Sequence, residues 1–229
     1  MLTYYTKSAL YNKVHRLRNG FHISRDSYPI DAVKLCNRFS GLQVSFWNFK
    51  TPGLKGMSYI AERLESDVII LNAGLTKKEQ NFICTHELMH LALHRNEATN
   101  SFDFNEKNIL NQDSSLEWQA NEGAAEFLLP AAILLPIIGT RLSSLRPWYD
   151  IEAFKVELSE QFNVTKTVIE IRFEHLKYEI YQYLQGIPLK DIEVISFSKQ
   201  KAKGINVLSL NDIENKLMIK EKTAPLYHE

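Results

Sequence analysis

Cysteine is nearly absent from this chain: Cys36 and Cys84 are its two in 229 residues. They are too few and too far apart for a disulfide framework, which points to a reducing compartment. Glycine (9) and proline (7) are sparse, which excludes collagen-like and low-complexity chains. Neither sign of charge prevails, with 27 Lys and Arg against 27 Asp and Glu, so no global pull toward nucleic acid or an anionic membrane exists. Long apolar runs are missing too. The longest, the twelve residues from Leu128 to Gly139, is interrupted by Pro130 and Pro136 and falls short of the roughly 20 residues that cross a bilayer. It is expected to be packed in the core or to line a cleft. The first twenty residues carry Lys7, Lys13, Arg16 and Arg18 and no apolar core of signal-peptide length. A cytoplasmic chain without a membrane partner is therefore expected.

What is present suits a folded chain of one generous domain or two small ones, with 45% hydrophobic and 24% charged residues. Residues 5–18 carry a weak helical pattern ending at Asn19-Gly20, and Asp31 to Phe39 reads as a helix stopped by Ser40-Gly41. The period then changes. Leu42, Val44, Phe46 and Trp47 suggest a strand, Pro52-Gly53 a turn, and Met57 to Leu64 with Val68 to Leu71 two extended segments joined around Glu65-Ser66-Asp67. Together these predict a small antiparallel sheet of about three strands. Thr76 followed by Glu79 has capping-box spacing and opens a helix that runs through Phe82, Ile83, Leu88 and Leu91 to His94. Asn96 to Ser115 reads as a polar loop with a helical turn near Ile109-Leu110. Residues 115–129 form a second helix stopped at Pro130, and further helices are expected over Ile151 to Phe162 and from Thr165. Beyond Gly186 the chain turns lysine-rich, with Val194 to Phe197 and Ile205 to Leu210 as candidate strands. The class is α+β and mainly helical.

The first long helix contains His86-Glu87-Leu88-Met89-His90. Two imidazoles four residues apart lie one above the other on one helix face, about one turn apart, and can share a single metal ion. Glu87, adjacent to His86, is placed to take a proton from a water at that ion. A lone histidine on a helix is ordinarily a core residue; the pair with the intervening acid points to a metal site, and neutral imidazole with carboxylate suits zinc. A catalytic zinc needs a third protein ligand and an open fourth position. His94 is eight residues from His86, about 12 Å along the axis, and is set aside as a core or helix-end residue. A metzincin pattern would require histidine where Asn96 stands. Glu117 is the better candidate. Asn121 lies one turn further on the same face, so its amide oxygen can accept from the far nitrogen of a ligand histidine, while small Ala120 and Ala124 allow close helix approach. Glu122 and Glu126 lie about 140° and 180° around that helix and are expected to be solvated. The plain alternative for Glu117 is an acid favoured by the helix dipole. Cys84 is expected to be buried and inert.

Taken in order, HELMH and the downstream EWQANEGAAEFLLP resemble the ImmA/IrrE family of bacterial and phage zinc metallopeptidases, whose signature is HExxH followed by E-x-x-A-N/D-x-F-A-A-x-L-L-M-P. The resemblance covers roughly residues 31–186 and includes Asn163 to Leu176, similar to the family's later helix with its arginine, here Arg172. It implies a zincin-like fold and one Zn2+ ion held by His86, His90 and Glu117 in the gluzincin manner, with Glu87 as catalytic acid/base. Gly123 stands where the family usually has Phe, and Leu129 where it has Met; the glycine is expected to loosen a helix–helix contact. Tyr149, Arg146, Arg172 and His175 are eligible by type to face a developing oxyanion. The domains implied are an N-terminal helical arm over 1–25, the metallopeptidase domain over 26–186, and an extension over 187–229.

The same resemblance implies a protein substrate: a helix-turn-helix DNA-binding repressor of a phage or mobile element, cut at one site. From Glu97 to Glu126 seven acids face one base, Lys107, a balance suited to a basic partner. The rival reading is a regulatory module that holds metal and binds a repressor or DNA without proteolysis. Ile151 to Tyr183 can be read as a helix-turn-helix, but its charges alternate in sign and lack a basic stripe, so no direct nucleic-acid binding is expected. A purely structural zinc would normally have four protein ligands, and three stand out here.

Overall fold

The computed structural model describes residues 4–61, 66–95, 101–105, 114–145 and 147–223, with the backbone alone at 101–105, 143 and 222. Within these, the chain forms two compact units, residues 1–129 with 162–164 and residues 130–161 with 165–229.

The first unit begins with α1 (Lys7–Gly20), whose N-cap Thr6 accepts from the Ala9 amide, and α2 (Ala32–Arg38), capped by Asp31. Three strands follow, β1 (Leu42–Trp47), β2 (Leu54–Tyr59) and β3 (Asp67–Asn72). Helix α3 (Lys77–Leu93) starts at the expected capping box: the Glu79 amide donates to Thr76 Oγ1, and the Thr76 amide donates to Glu79 Oε2 at 2.8 Å. Strand β4 (Ser101–Asn105) and helix α4 (Ser114–Leu128) complete this part of the unit.

The sheet order is β1-β3-β2-β4. It is mixed, where the sequence suggested antiparallel pairing throughout. Two reversals separate β1 from β3, so they run the same way, and β3 inserts beside β1 in parallel register from Leu42↔Asp67 to Trp47↔Asn72. The β2–β3 and β2–β4 pairs are antiparallel. Strand β4 stands inside the stretch read as a loop; Phe102 and Phe104 do alternate with Ser101, Asp103 and Asn105, but over five residues amid polar neighbours, and pairing with β2 supplies its order. The helical turn expected near Ile109-Leu110 and the joint at Glu65 lie outside the described residues.

Period-two burial on β3 sends Ile69 and Leu71 into the core. On β2 the inward positions are Gly56 and Ser58. A Cβ on Gly56 would meet Ile83 Cγ2 at 2.6 Å and Glu87 Cγ at 3.4 Å, so the missing side chain lets β2 lie directly against α3. Helix α3 is buried on every side from Ile83 to Leu91. It packs against β2, β3, α2 and α4. Asn81 anchors it: its Oδ1 accepts from the Ala32 amide at 2.7 Å and its Nδ2 donates to the carbonyls of Ile30 and Asn163. Cys84 is fully buried with its sulfur 3.9 Å from that of Cys36. The neighbouring thiol and burial push it well above the ordinary thiol range, which leaves it inert.

Helix α1 packs on α4 and overturns one expectation. Glu122 and Glu126 are buried, not solvated. Tyr11 Oη donates to Glu122 Oε1 at 2.5 Å, His15 Nε2 lies 3.0 Å from Glu126 Oε1, and Arg18 donates to the Phe127 carbonyl. The helical angles placed both acids correctly away from Glu117; what covers that face could not be read from α4 alone. Gly123 is likewise not a loose spot. Met89 Cγ and Sδ lie 3.1 Å from where its Cβ would be, so the side chain missing from α4 is replaced by one from α3.

The second unit contains α5 (Ala131–Arg141), α6 (Trp148–Gln161), α7 (Lys166–His175), α8 (Lys177–Leu184), α9 (Phe197–Ala202) and α10 (Leu210–Thr223). The apolar run from Leu128 carries α5, with Pro130 at its N-cap and Leu134, Leu135 and Ile138 buried. The two candidate strands near the C-terminus are not strands: residues 194–196 and 205–209 are irregular and lead into α9 and α10. Ser209 and Asp212 explain the second case, the Asp212 amide donating to Ser209 Oγ and the Ser209 amide to Asp212 Oδ2, a helix start that outweighs the local alternation. Lys155 of α6 is buried at the middle of this unit, its Nζ 2.7 Å from Glu214, 3.1 Å from Glu170 and 3.1 Å from Glu152. Among the described residues no single helix is long and apolar enough to cross a membrane.

Candidate metal centre

Helix α3 presents His86 and His90 one turn apart, and α4 presents Glu117 opposite them. Ala120 and Ala124, both fully buried, allow the two helices to close on each other. His86 Nε2 and His90 Nε2 are 3.1 Å apart, His90 Nε2 is 3.2 Å from Glu117 Oε1, and His86 Nε2 is 3.5 Å from Glu117 Oε2. A tetrahedral ion with nitrogen and oxygen donors about 2.0–2.1 Å away requires donor–donor edges of about 3.3 Å. The three edges bracket that value, so these side chains fit a metal ion without rearrangement. Among the described residues this is the group that could hold one.

The electrostatics agree with the fit. Both imidazoles are buried. Burial holds His90 below its ordinary value of 6.5, outweighing the pull of Glu117, so it stays neutral and keeps a lone pair. Burial pushes Glu117 upward, but the His86 and His90 rings set against its carboxylate prevail and bring it down to about 2. It is therefore an ionised carboxylate at neutral pH.

The surroundings orient these groups. His86 Nδ1 is 3.1 Å from Asn121 Oδ1, the contact anticipated from the one-turn spacing of Glu117 and Asn121. Glu87 is fully buried, and Ser58 Oγ on β2 donates to its Oε2 at 2.7 Å. The sequence reading missed Ser58, since a serine in a short alternating strand carries no signature until the strand is laid on α3. It also set His94 aside. His94 is the C-cap residue of α3, fully buried, with Nδ1 3.1 Å from His90 Nδ1. The signal was available, for His94 stands to His90 as His90 does to His86. Of the oxyanion candidates, Tyr149, Arg172 and His175 belong to the second unit and Arg146 lies outside the described residues.

Residues 38–174 match the peptidase family described as the IrrE N-terminal-like domain, well over half of the chain. This chain belongs to that family. It is thereby a member of a peptidase family, and the α+β arrangement of a small mixed sheet on a helix-rich body is zincin-like. Among solved structures, a chain titled "Mycobacterium tuberculosis transcriptional regulator" is similar at 16% identity and a TM-score of 0.46, covering 73% of this chain and 47% of that one. The chain thus spans about half the length of that structure. No curated protein matches it.

Proposed function

We propose that this family member is a zinc-dependent endopeptidase in which His86, His90 and Glu117 hold one Zn2+ ion, Glu87 is the catalytic acid/base and Asn121 steadies His86. The observation that carries the reading is the triangle of donor atoms at metal-binding edge lengths, with a buried carboxylate on the adjacent residue of the same helix. Three protein donors leave a fourth tetrahedral position for substrate or water, as catalytic sites do and structural sites do not. Zinc held there supplies Lewis acidity, polarising a peptide carbonyl and bringing the pKa of water toward neutrality.

The chain's own residues do the rest. The Glu87 carboxylate takes the proton of the attacking water and delivers it to the departing amine nitrogen. Ser58 keeps that carboxylate turned in one direction. Asn121 Oδ1 accepts a hydrogen bond from the Nδ1–H of His86, which leaves Nε2 with its lone pair facing Glu117.

The substrate we propose is a helix-turn-helix repressor of a phage or mobile element, on the strength of the HELMH and EWQANEGAAEFLLP motifs. The setting we propose is cytoplasmic, where thiols such as Cys36 and Cys84 remain reduced. The rival, a metal-holding module that binds a repressor without cutting it, separates cleanly. Glu87→Gln should retain stoichiometric zinc while cleavage of a co-expressed repressor falls by about two to four orders of magnitude. Regulatory output unchanged in that variant, with the repressor intact in both proteins, supports the binding module and sinks the peptidase reading.

A further inference from the structure

The HELMH pair does not end at His90. His86, His90 and His94 form a column of three imidazoles at successive turns of α3, with ring centroids 4.8 Å and 5.2 Å apart. The third ring is held twice. Its backbone amide donates to the His90 carbonyl at 2.9 Å, and its Nδ1 faces the His90 Nδ1 at 3.1 Å.

Two ring nitrogens at that separation share one proton. A neutral imidazole carries one N–H, so two arrangements exist. With the proton on His90 Nδ1, that nitrogen donates to the lone pair of His94 Nδ1, His94 keeps its own proton on Nε2, and His90 Nε2 is a lone pair turned toward His86 and Glu117. With the proton on His94 Nδ1, His90 must carry its N–H on Nε2, aimed into the donor triangle, where no ion can then be ligated by it. The two rings choose their tautomers together. Only the first choice serves metal binding.

We infer that His94 is a positioning residue for the metal centre: its Nδ1 accepts a hydrogen bond from the Nδ1–H of His90 and so holds that ring with Nε2 presented to the ion. It does for His90 what Asn121 does for His86, but from the same helix rather than from α4. The inference rests on the metal reading proposed above.

The test compares His94→Asn, whose side-chain oxygen reaches nearly the same point and accepts a hydrogen bond, with His94→Leu, which fills the space without an acceptor. Zinc affinity is measured by competition with a chromophoric chelator, beside thermal unfolding of the zinc-free forms. His94→Leu should bind zinc about 10- to 100-fold more weakly, and His94→Asn should return to within a few fold of the parent. Equal affinities in the parent and the leucine variant, or equal losses in both variants, overturn the inference. Should the leucine variant fail to fold, long-range proton–nitrogen NMR of the unaltered zinc-loaded protein decides. A proton on His90 Nδ1 and on His94 Nε2 is expected; the opposite pair of tautomers overturns it. A parent protein that takes up no zinc overturns the metal reading and this inference together, whereas tight zinc binding indifferent to His94 overturns this inference alone.

Discussion

The Lys155 cluster of the second unit and the His86, His90 and Glu117 group of the first both take polar atoms out of water, and they do so with opposite inventories. Lys155 brings its own cation. Glu214, Glu170 and Glu152 surround its Nζ, and although burial alone would depress it, their hydrogen bonds raise it above its ordinary 10.5. The first unit assembles donors without a cation of its own: two imidazole nitrogens and a carboxylate within 4.8 Å of one another. A charge cluster with an internal cation is complete as folded, and it offers a visitor nothing. A cluster of donors is a demand for a cation from outside, which makes one centre structural and the other a candidate for chemistry.

The comparison can be broken at either end. The largest effect is expected from Glu117→Ala, which removes one donor of three and should weaken zinc binding by more than about a hundredfold, beyond the usual cost of losing an outer contact. Metal analysis of the purified variant checks it, and zinc retained at one per chain would dissolve the contrast drawn here. Next comes Lys155→Met. It sets Glu214 beside a buried apolar side chain and should cost about 3 kcal/mol, the low end for a broken buried pair because Glu152 and Glu170 are partly exposed and keep Lys166. Chemical denaturation measures it, and zinc content should not move.

Smallest, but most diagnostic, is the sign of the pH response. In the metal-free protein the unfolded chain binds more protons than the folded one once pH drops below 6.5, because His90 is held low, and again from 4.5 down to about 2, because of Glu117. Stability from the first centre is therefore lost as pH falls. Lys155 works the other way: its contribution is fully present below 10.5 and disappears as pH rises through its raised value. Across pH, the denaturation midpoint of Glu117→Gln should lose the slope between 4.5 and about 2 and keep the burial-driven slope of His90 below 6.5, and that of Lys155→Met should lose the alkaline-side slope. The same slope lost in both variants would show that the two centres do not differ as described.

Much of the site was legible before any fold was known, and the parts that were not share a cause. His86, Glu87 and His90 follow from spacing on one helix, and Asn121 follows Glu117 by the same rule on another. Ser58 and the buried state of Glu122 and Glu126 were not legible, because each depends on an element remote in sequence: β2 laid on α3 through Gly56, and α1 laid on α4. The parallel β1–β3 pairing escaped for the same reason, since strand order is decided by partners and not by the strand itself. The helix start at Ser209 was local and readable; an apparent alternation over Ile205 to Leu210 obscured it.

By itself the sequence determined that two imidazoles and an acid share one helical stretch, because 3.6 residues per turn is a property of the backbone and needs no neighbour. It likewise determined which residues of α4 point together. The tertiary structure alone decided what covers the other two α4 carboxylates, Glu122 and Glu126, which α1 claims. The same acid is a ligand, a surface charge or a buried hydrogen-bond acceptor according to what covers its face, and that covering arrives from a hundred residues away in the chain for Glu122 and Glu126, each separated by 111 positions from its partner.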